Sequence, residues 1–196
     1  MATYYVSATT GADINNGLTV DGAKATIGAA ENLATSAGDI VYIAPGTYRE
    51  HVVHGYSGTA ANRIYFIGDP DCEIFGNAVE PGIVRITITG ADGLVEDEGT
   101  AYAVSSNGRD YITWKNVSLD GGSAAVSSYS YSTDGNITYG FRCAADSDYM
   151  EVINCITQTF YYGAYRVAYM YDSVFMGTVY STRDGIEANR CIALAG

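Results

Sequence analysis

The sequence predicts an all-β solenoid, and three observations carry that prediction. The 196 residues include 23 Gly and 18 Tyr but only 3 Pro, the profile of a chain whose corners need positive φ and whose strands take aromatics. Hydrophobic residues make up 47% and charged ones 16%, enough apolar matter for a folded core and too little charge for a disordered chain. A pattern also recurs: Met150 to Ile156, Ala168 to Val174 and Ile186 to Ile192 align at offsets of 18, and Ile112 to Ser118 precedes the first copy by 38. Such self-similarity is expected of stacked repeats.

The elements follow in order. Tyr4 to Ser7 reads as a short strand, and Gly11 to Gly17 as a loop rich in Gly, Asn and Asp. Between Lys24 and Ala37, the apolar residues Ile27, Ala30, Leu33, Ala34 and Ala37 fall on one helical face, with Gly38 where a C-terminal cap belongs. Asp39 to Ala44 is a strand, Pro45-Gly46 a turn, and Thr47 to Val53 a second strand. Arg63 to Ile67 and Glu73 to Phe75 form another pair. Further on, the 18-residue register competes with one through Gly140, Gly163 and Gly185, spaced 23 and 22, so the period is about 18 to 24 residues with loops of varying length.

The runs YYVSATTGADINNGL (Tyr4 to Leu18), ATIGAAENL (Ala25 to Leu33), GDIVYIAPGTYREHV (Gly38 to Val52) and SGTAANRIYFIGD (Ser57 to Asp69) resemble the N-terminal cap and first turns of pectate-lyase-like right-handed parallel β-helix proteins. The resemblance implies one β-helix domain over residues 1–196, with a strand and short α-helix cap and the first turns in 1–75 and further coils in 76–196. Five or six coils rising about 4.8 Å each would make a rod of roughly 25 to 30 Å. The superfamily includes polysaccharide lyases, glycoside hydrolases, epimerases and phage tailspikes or other virion proteins, so fold alone does not settle function.

The 18-residue register stacks Cys155, Ser173 and Cys191. The two cysteines then lie two coils, about 9.6 Å, apart, beyond the ~7 Å reach of a disulfide. Cys72 and Cys143 form no C-x-x-C pair either, so free buried thiols are expected. The last residues, Cys191 to Gly196, carry no charge. An open solenoid end needs covering, which implies either further chain or another subunit.

Charge narrows the partners. A formal charge of −12, from 22 acidic against 10 basic residues, disfavours nucleic acid and anionic lipid. No apolar run approaches the ~18 residues needed to span a bilayer. The segment Met1 to Ser7 has neither a basic nor an apolar region of signal-peptide type, so synthesis in a host cytoplasm is expected, with an extracellular location as the alternative.

Several residue groups are candidates for chemistry. His51 and His54, three apart in an extended segment, point to opposite faces and make no metal pair. Asp69, Asp71 and Glu73 alternate and would share one side, an oxygen set suited to calcium, or else a solvated turn. Glu96-Asp97-Glu98 reads as a solvated loop. A β-elimination lyase needs a Lys or Arg base and a cation or other charge sink, but the chain has two Lys, Lys24 on the cap helix and Lys115 in a strand. Arg142, Arg166 and Arg190 recur every 24 residues and could line successive coils, beside Asp146, Asp148, Asp172 and Asp184. They could hold an anionic sugar or form a structural ladder. The Asp pair and Gly-His-Gly element of polygalacturonase-like hydrolases are missing. Ten Tyr fall between Tyr129 and Tyr180, and their flat faces and hydroxyls suit sugars, subunit interfaces or stacking along the coil.

The combined expectation is a non-catalytic structural or surface component of a phage or virus particle, of tailspike, fibre or capsid-decoration type. Its partners would be virion subunits or copies of itself, and Tyr161, Tyr162, Tyr165, Arg142 and Arg166 would contact carbohydrate. It would need no cofactor, apart from calcium at Asp69, Asp71 and Glu73. The alternative is a lyase or glycoside hydrolase acting on acidic polysaccharide.

Overall fold

A computed structural model describes residues 1–88, 100–121, 137–143, 149–160, 162–176, 180–183 and 187–194. After β1 (Thr3–Val6) and helix α1 (Ile27–Glu31), the chain winds in coils of three short strands. The first coil holds β2 (Ile40–Ile43), β3 (Gly46–Arg49) and β4 (Val52–Val53), and the second β5 (Ile64–Gly68), β6 (Val84–Thr87) and β7 (Thr100–Ser105). The third holds β8 (Ile112–Lys115), β9 (Ser118–Asp120) and β10 (Ile137–Arg142), and the fourth β11 (Met150–Ile153), β12 (Ile156–Gln158) and β13 (Tyr162–Tyr165). The fifth holds β14 (Tyr169–Tyr171), β15 (Val174–Met176) and β16 (Tyr180–Arg183), followed by β17 (Glu187–Asn189) and β18 (Ile192–Leu194).

Equivalent strands of successive coils pair in parallel. The first sheet runs β1-β2-β5-β8-β11-β14-β17, the second β3-β6-β9-β12-β15-β18, and the third β4-β7-β10-β13-β16. The fold is a parallel β-helix. Its interior is one continuous core that includes Phe66, Trp114, Phe141, Phe160 and Phe175, the inward-facing residues of all three sheets.

Both repeat registers are present, because loop length differs between corners. Glu151 pairs with Tyr169, and Tyr169 with Glu187, at offsets of 18. Tyr139 pairs with Tyr162 at 23, because the chain takes nine residues from Arg142 to Glu151 but only four from Tyr165 to Tyr169. One long coil separates Ile112 from Met150, since β8 and β11 are direct neighbours. Gly140 does face Gly163, but the pairs Tyr162↔Tyr180 and Ala164↔Thr182 set Gly163 opposite Ser181 rather than Gly185. Gly185 itself lies outside the described residues.

Three element boundaries differ from the sequence expectation. The helix covers five residues instead of Lys24 to Ala37. Thr26 caps its start through Oγ1, and Asp39 accepts the Ser36 N–H to close a turn before Gly38, whose φ is +91°. Lys24 therefore stands off the helix, bridging to Val6 with Nζ donating to the Asp13 carbonyl. Thr47 to Val53 splits into two strands of different sheets at a corner around Glu50 and His51. Glu73 to Phe75 is a turn leading into a 3-10 segment, Gly76–Ala78.

All four cysteines are free; Cys72, Cys143 and Cys155 are buried as expected, whereas Cys191, in the last described coil, is partly exposed. Ser173 separates Cys155 from Cys191 in the stack, its Oγ accepting the Cys155 N–H and donating to the Tyr171 carbonyl. Burial pushes the Cys155 thiol up to about 12, which leaves it an inert core group. No helix among the described residues is long and apolar enough to cross a membrane.

Candidate functional site

The third sheet has an unusual composition for so acidic a chain. Its strands read VV, TAYAVS, ITYGFR, YGAY and YSTR. They contain two Arg and no Asp or Glu, although the chain has 22 acidic residues. The other two sheets carry Glu151, Glu187 and Asp120 in their strands.

A bend in the middle of this sheet brings Tyr and Arg together. Alternation would place Tyr139 and Arg142, three apart, on opposite faces. Gly140 and Phe141 both turn inward instead: Phe141 is fully buried, and a Cβ on Gly140 would lie 3.1 Å from Thr157 Cγ2 in the core. Tyr139 and Arg142 are thereby left outside together. The Arg142 guanidinium sits 5.5 Å from the Tyr102 ring centroid and 5.8 Å from that of Tyr139, within cation–π range. Among the described residues its N–H groups have no hydrogen-bond acceptor.

Register builds the rest of the patch. Tyr102, Tyr139 and Tyr162 are successive partners in one column, and the Tyr139 and Tyr162 rings stack with centroids 5.3 Å apart. Tyr165 meets Tyr139 edge-on at 5.2 Å and packs against Tyr162 at 5.6 Å. The Arg166 guanidinium lies 5.3 Å from the Tyr165 ring. His51 extends the column toward the N-terminal end by stacking on Tyr102 at 5.4 Å. Tyr102, Tyr139 and Tyr162 are 6%, 9% and 2% exposed, so they are supports, whereas Arg142, Tyr165 and Arg166 are half-buried.

Of the residues picked from sequence, four converge here: Tyr162, Tyr165, Arg142 and Arg166. Tyr162 supports the ring stack instead of offering its own face. Tyr161 lies outside the described residues, as do Glu96-Asp97-Glu98, Asp146, Asp148 and Asp184. Tyr102 went unnoticed in the sequence, and Tyr139 was counted among the ten Tyr between Tyr129 and Tyr180 but not picked out. Their offset of 37 is hidden by the long third coil, and the only signal was the later Tyr139 to Tyr162 repeat.

The expected Arg column does not form. Arg142 pairs in register with Tyr165, so Arg166 falls one residue further on, at a corner with φ +56°. Arg190 occupies a different corner and makes a bidentate ion pair with Asp172, 2.6 and 2.7 Å. Lys115 is exposed on the first sheet, remote in register from the third.

The calcium candidates do not converge either. Asp69 is buried, and its carboxylate accepts the backbone N–H groups of Glu73, Ile74 and Phe75 at 2.8 to 3.0 Å, which shapes the turn that displaced the expected strand. Asp71 and Glu73 are exposed. Among the described residues no group of three or more His, Cys, Asp or Glu could hold a metal ion. His54 is in the core and His51 outside it, as their spacing required.

No family model matches the sequence, and no curated protein does. Solved structures share the fold. A GH136 lacto-N-biosidase from Eubacterium ramulus is similar at 17% identity and a TM-score of 0.62, over 98% of this chain and 34% of that one. A rhamnogalacturonan lyase is similar at 16% identity and 0.61, over 98% and 56%. A pectin methylesterase from Aspergillus niger is similar at 16% identity and 0.51, over 100% and 68%. The chain spans about a third and about half the length of the first two. These likenesses show the fold alone, a parallel β-helix.

Proposed function

We propose that the chain is a non-catalytic, carbohydrate-contacting β-helix that meets acidic polysaccharide through Arg142, Tyr165 and Arg166. The observation that carries this reading is the acid-free third sheet, where an Arg with no carboxylate partner among the described residues rests on aromatic rings. A carboxylated sugar would find charge-assisted donors and a ring edge there, while the surrounding acidic surface would repel it elsewhere. The strands of this sheet supply no carboxylate pair, which glycoside hydrolysis requires. The finer proposal is a structural part of a phage or virus particle, of tailspike, fibre or decoration type, assembled with copies of itself or other virion subunits, and it rests on the sequence resemblance of residues 4–69 to a superfamily that includes such proteins.

One observation favours a second reading. Arg142 lacks a hydrogen-bond acceptor among the described residues, and a β-elimination lyase uses a Lys or Arg as base. Binding and turnover on a panel of uronate and neutral polysaccharides separate the two. The structural reading expects saturable binding of uronate chains, weakened at least tenfold in Arg142→Ala, with no rise in the absorbance of unsaturated product. Equal binding of neutral chains would sink the proposed site, and product that disappears in Arg142→Ala would establish the lyase. Light scattering tests self-assembly, which a persistent monomer at high concentration would contradict.

A further inference from the structure

Helix α1 is held to the first coil by a small polar centre buried in apolar surroundings. Glu50, at the corner between β3 and β4, accepts the N–H groups of Ile27 and Gly28 at 2.8 and 2.9 Å. Glu31, at the other end of the helix, accepts the Gly55 N–H at 2.7 Å and faces His54 Nδ1 at 3.7 Å. His54 is 1% exposed. On its far side, Nε2 accepts the indole N–H of Trp114 at 2.9 Å, and the ring packs against Phe66 at 4.8 Å. One imidazole thus joins the helix to the third coil.

We propose that α1 is an acid-released cap and that His54 is its switch. An indole N–H only donates, so Trp114 requires a lone pair on Nε2, which places the ring proton of neutral His54 on Nδ1, facing Glu31. A second proton must go to Nε2. There it would confront the Trp114 N–H, and Trp114, fully buried, has no other acceptor among the described residues. Protonation therefore breaks the contact between His54 and Trp114 and drives the ring out of the core. The segment Val52 to Gly55 moves with it, the Glu31 anchor is lost, and Ile27, Ala30 and Ala34 lose their cover.

The groups around His54 set the sign. From α1, Glu31 favours the cation. From β5 and β8 come only the rings of Phe66 and Trp114, and from the β7 side the Ser105 carbonyl and the Asn107 side chain bind its backbone. Its own segment adds Glu50 and His51. Burial outweighs Glu31 and holds His54 below its ordinary value of 6.5. The unfolded chain therefore binds the proton more readily, and stability falls as pH drops below 6.5. Glu50 acts in the opposite sense: burial raises it above 4.5, so in the range just above 4.5 the folded state takes up the proton.

Trp114 is the only Trp, which makes its emission a direct readout. Between pH 7.5 and 5.0, emission is expected to shift to the red. Amide protection, corrected for intrinsic exchange, should fall at least tenfold across residues 26–34 and 50–55 while β11, β12 and β15 change less than twofold. His54→Gln, which keeps an acceptor but does not titrate, should remove both responses. Unchanged emission and protection in the wild type, an equal loss across all coils, or an undiminished response in His54→Gln would each overturn the proposal. If the variant does not fold, the wild-type protection pattern decides.

Discussion

Gly163 marks a tight point of the interior, where the second and third sheets meet. A Cβ there would stand 2.3 Å from Phe175 Cδ1 and 2.7 Å from Thr157 Oγ1, closer than side-chain packing allows. The Thr157 side chain beside it is 1% exposed, and its hydroxyl has no hydrogen-bond partner among the described residues, a group left unsatisfied at a cost of about 1–3 kcal/mol. The two residues predict opposite outcomes in urea denaturation. Gly163→Ala should lose about 1–3 kcal/mol by overpacking. Thr157→Val, which fills the same volume without the hydroxyl, should match the wild type or gain up to about 1 kcal/mol. If Gly163→Ala cost nothing, the close approach of the second and third sheets would be refuted. Sequence gave a partial view at this scale: Gly140 and Gly163 stood out as a repeat, but not which neighbours they admit.

Among elements, the corner after the first sheet repeats most faithfully. Asn116, Asn154, Asp172 and Arg190 occupy it in successive coils, with φ between +50° and +58°. Asn154 Nδ2 donates to Asn116 Oδ1 at 2.9 Å, and Asn116 Nδ2 donates to the Gly68 carbonyl at 3.3 Å. Asn suits the left-handed region and pairs with its own kind one coil away. Two variants separate these contributions. Asn154→Gly loses the side-chain bond but relaxes the backbone, for a cost of about 0.5–1.5 kcal/mol. Asn154→Ala adds backbone strain of about 1 kcal/mol, so its melting midpoint should lie clearly below that of the Gly variant, and equal midpoints would argue against the ladder geometry. This corner was legible because its turn is two residues long in each of these four coils, so the strand–turn–strand unit recurs as one local motif whether the offset is 18 or 38. Asp69 reads as one of three carboxylates sharing a side, because alternation along a sequence cannot show a carboxylate that already accepts three backbone N–H groups.

Across the whole molecule, charge and chain order are distributed unevenly. The cap and the first-sheet register could be read from sequence because they depend on local pattern, whereas the Tyr and Arg face depends on a bend at Gly140 and on coils of unequal length, neither of which alternation encodes. The same face concentrates positive charge on a molecule of net charge −12. Like charges around the rest of the surface repel through a Debye length of about 10 Å at 0.1 M salt. Stability and acidic-ligand binding should therefore respond to salt in opposite directions. Raising NaCl from about 20 mM to about 500 mM shortens the Debye length several-fold, so the melting temperature should rise by a few degrees as self-repulsion is screened, while uronate affinity at the third sheet falls. A melting temperature that drops with salt would mean that attractive pairs such as Arg190 with Asp172 outweigh the net charge. Uronate binding indifferent to salt would mean that the rings, and not Arg142, hold the ligand.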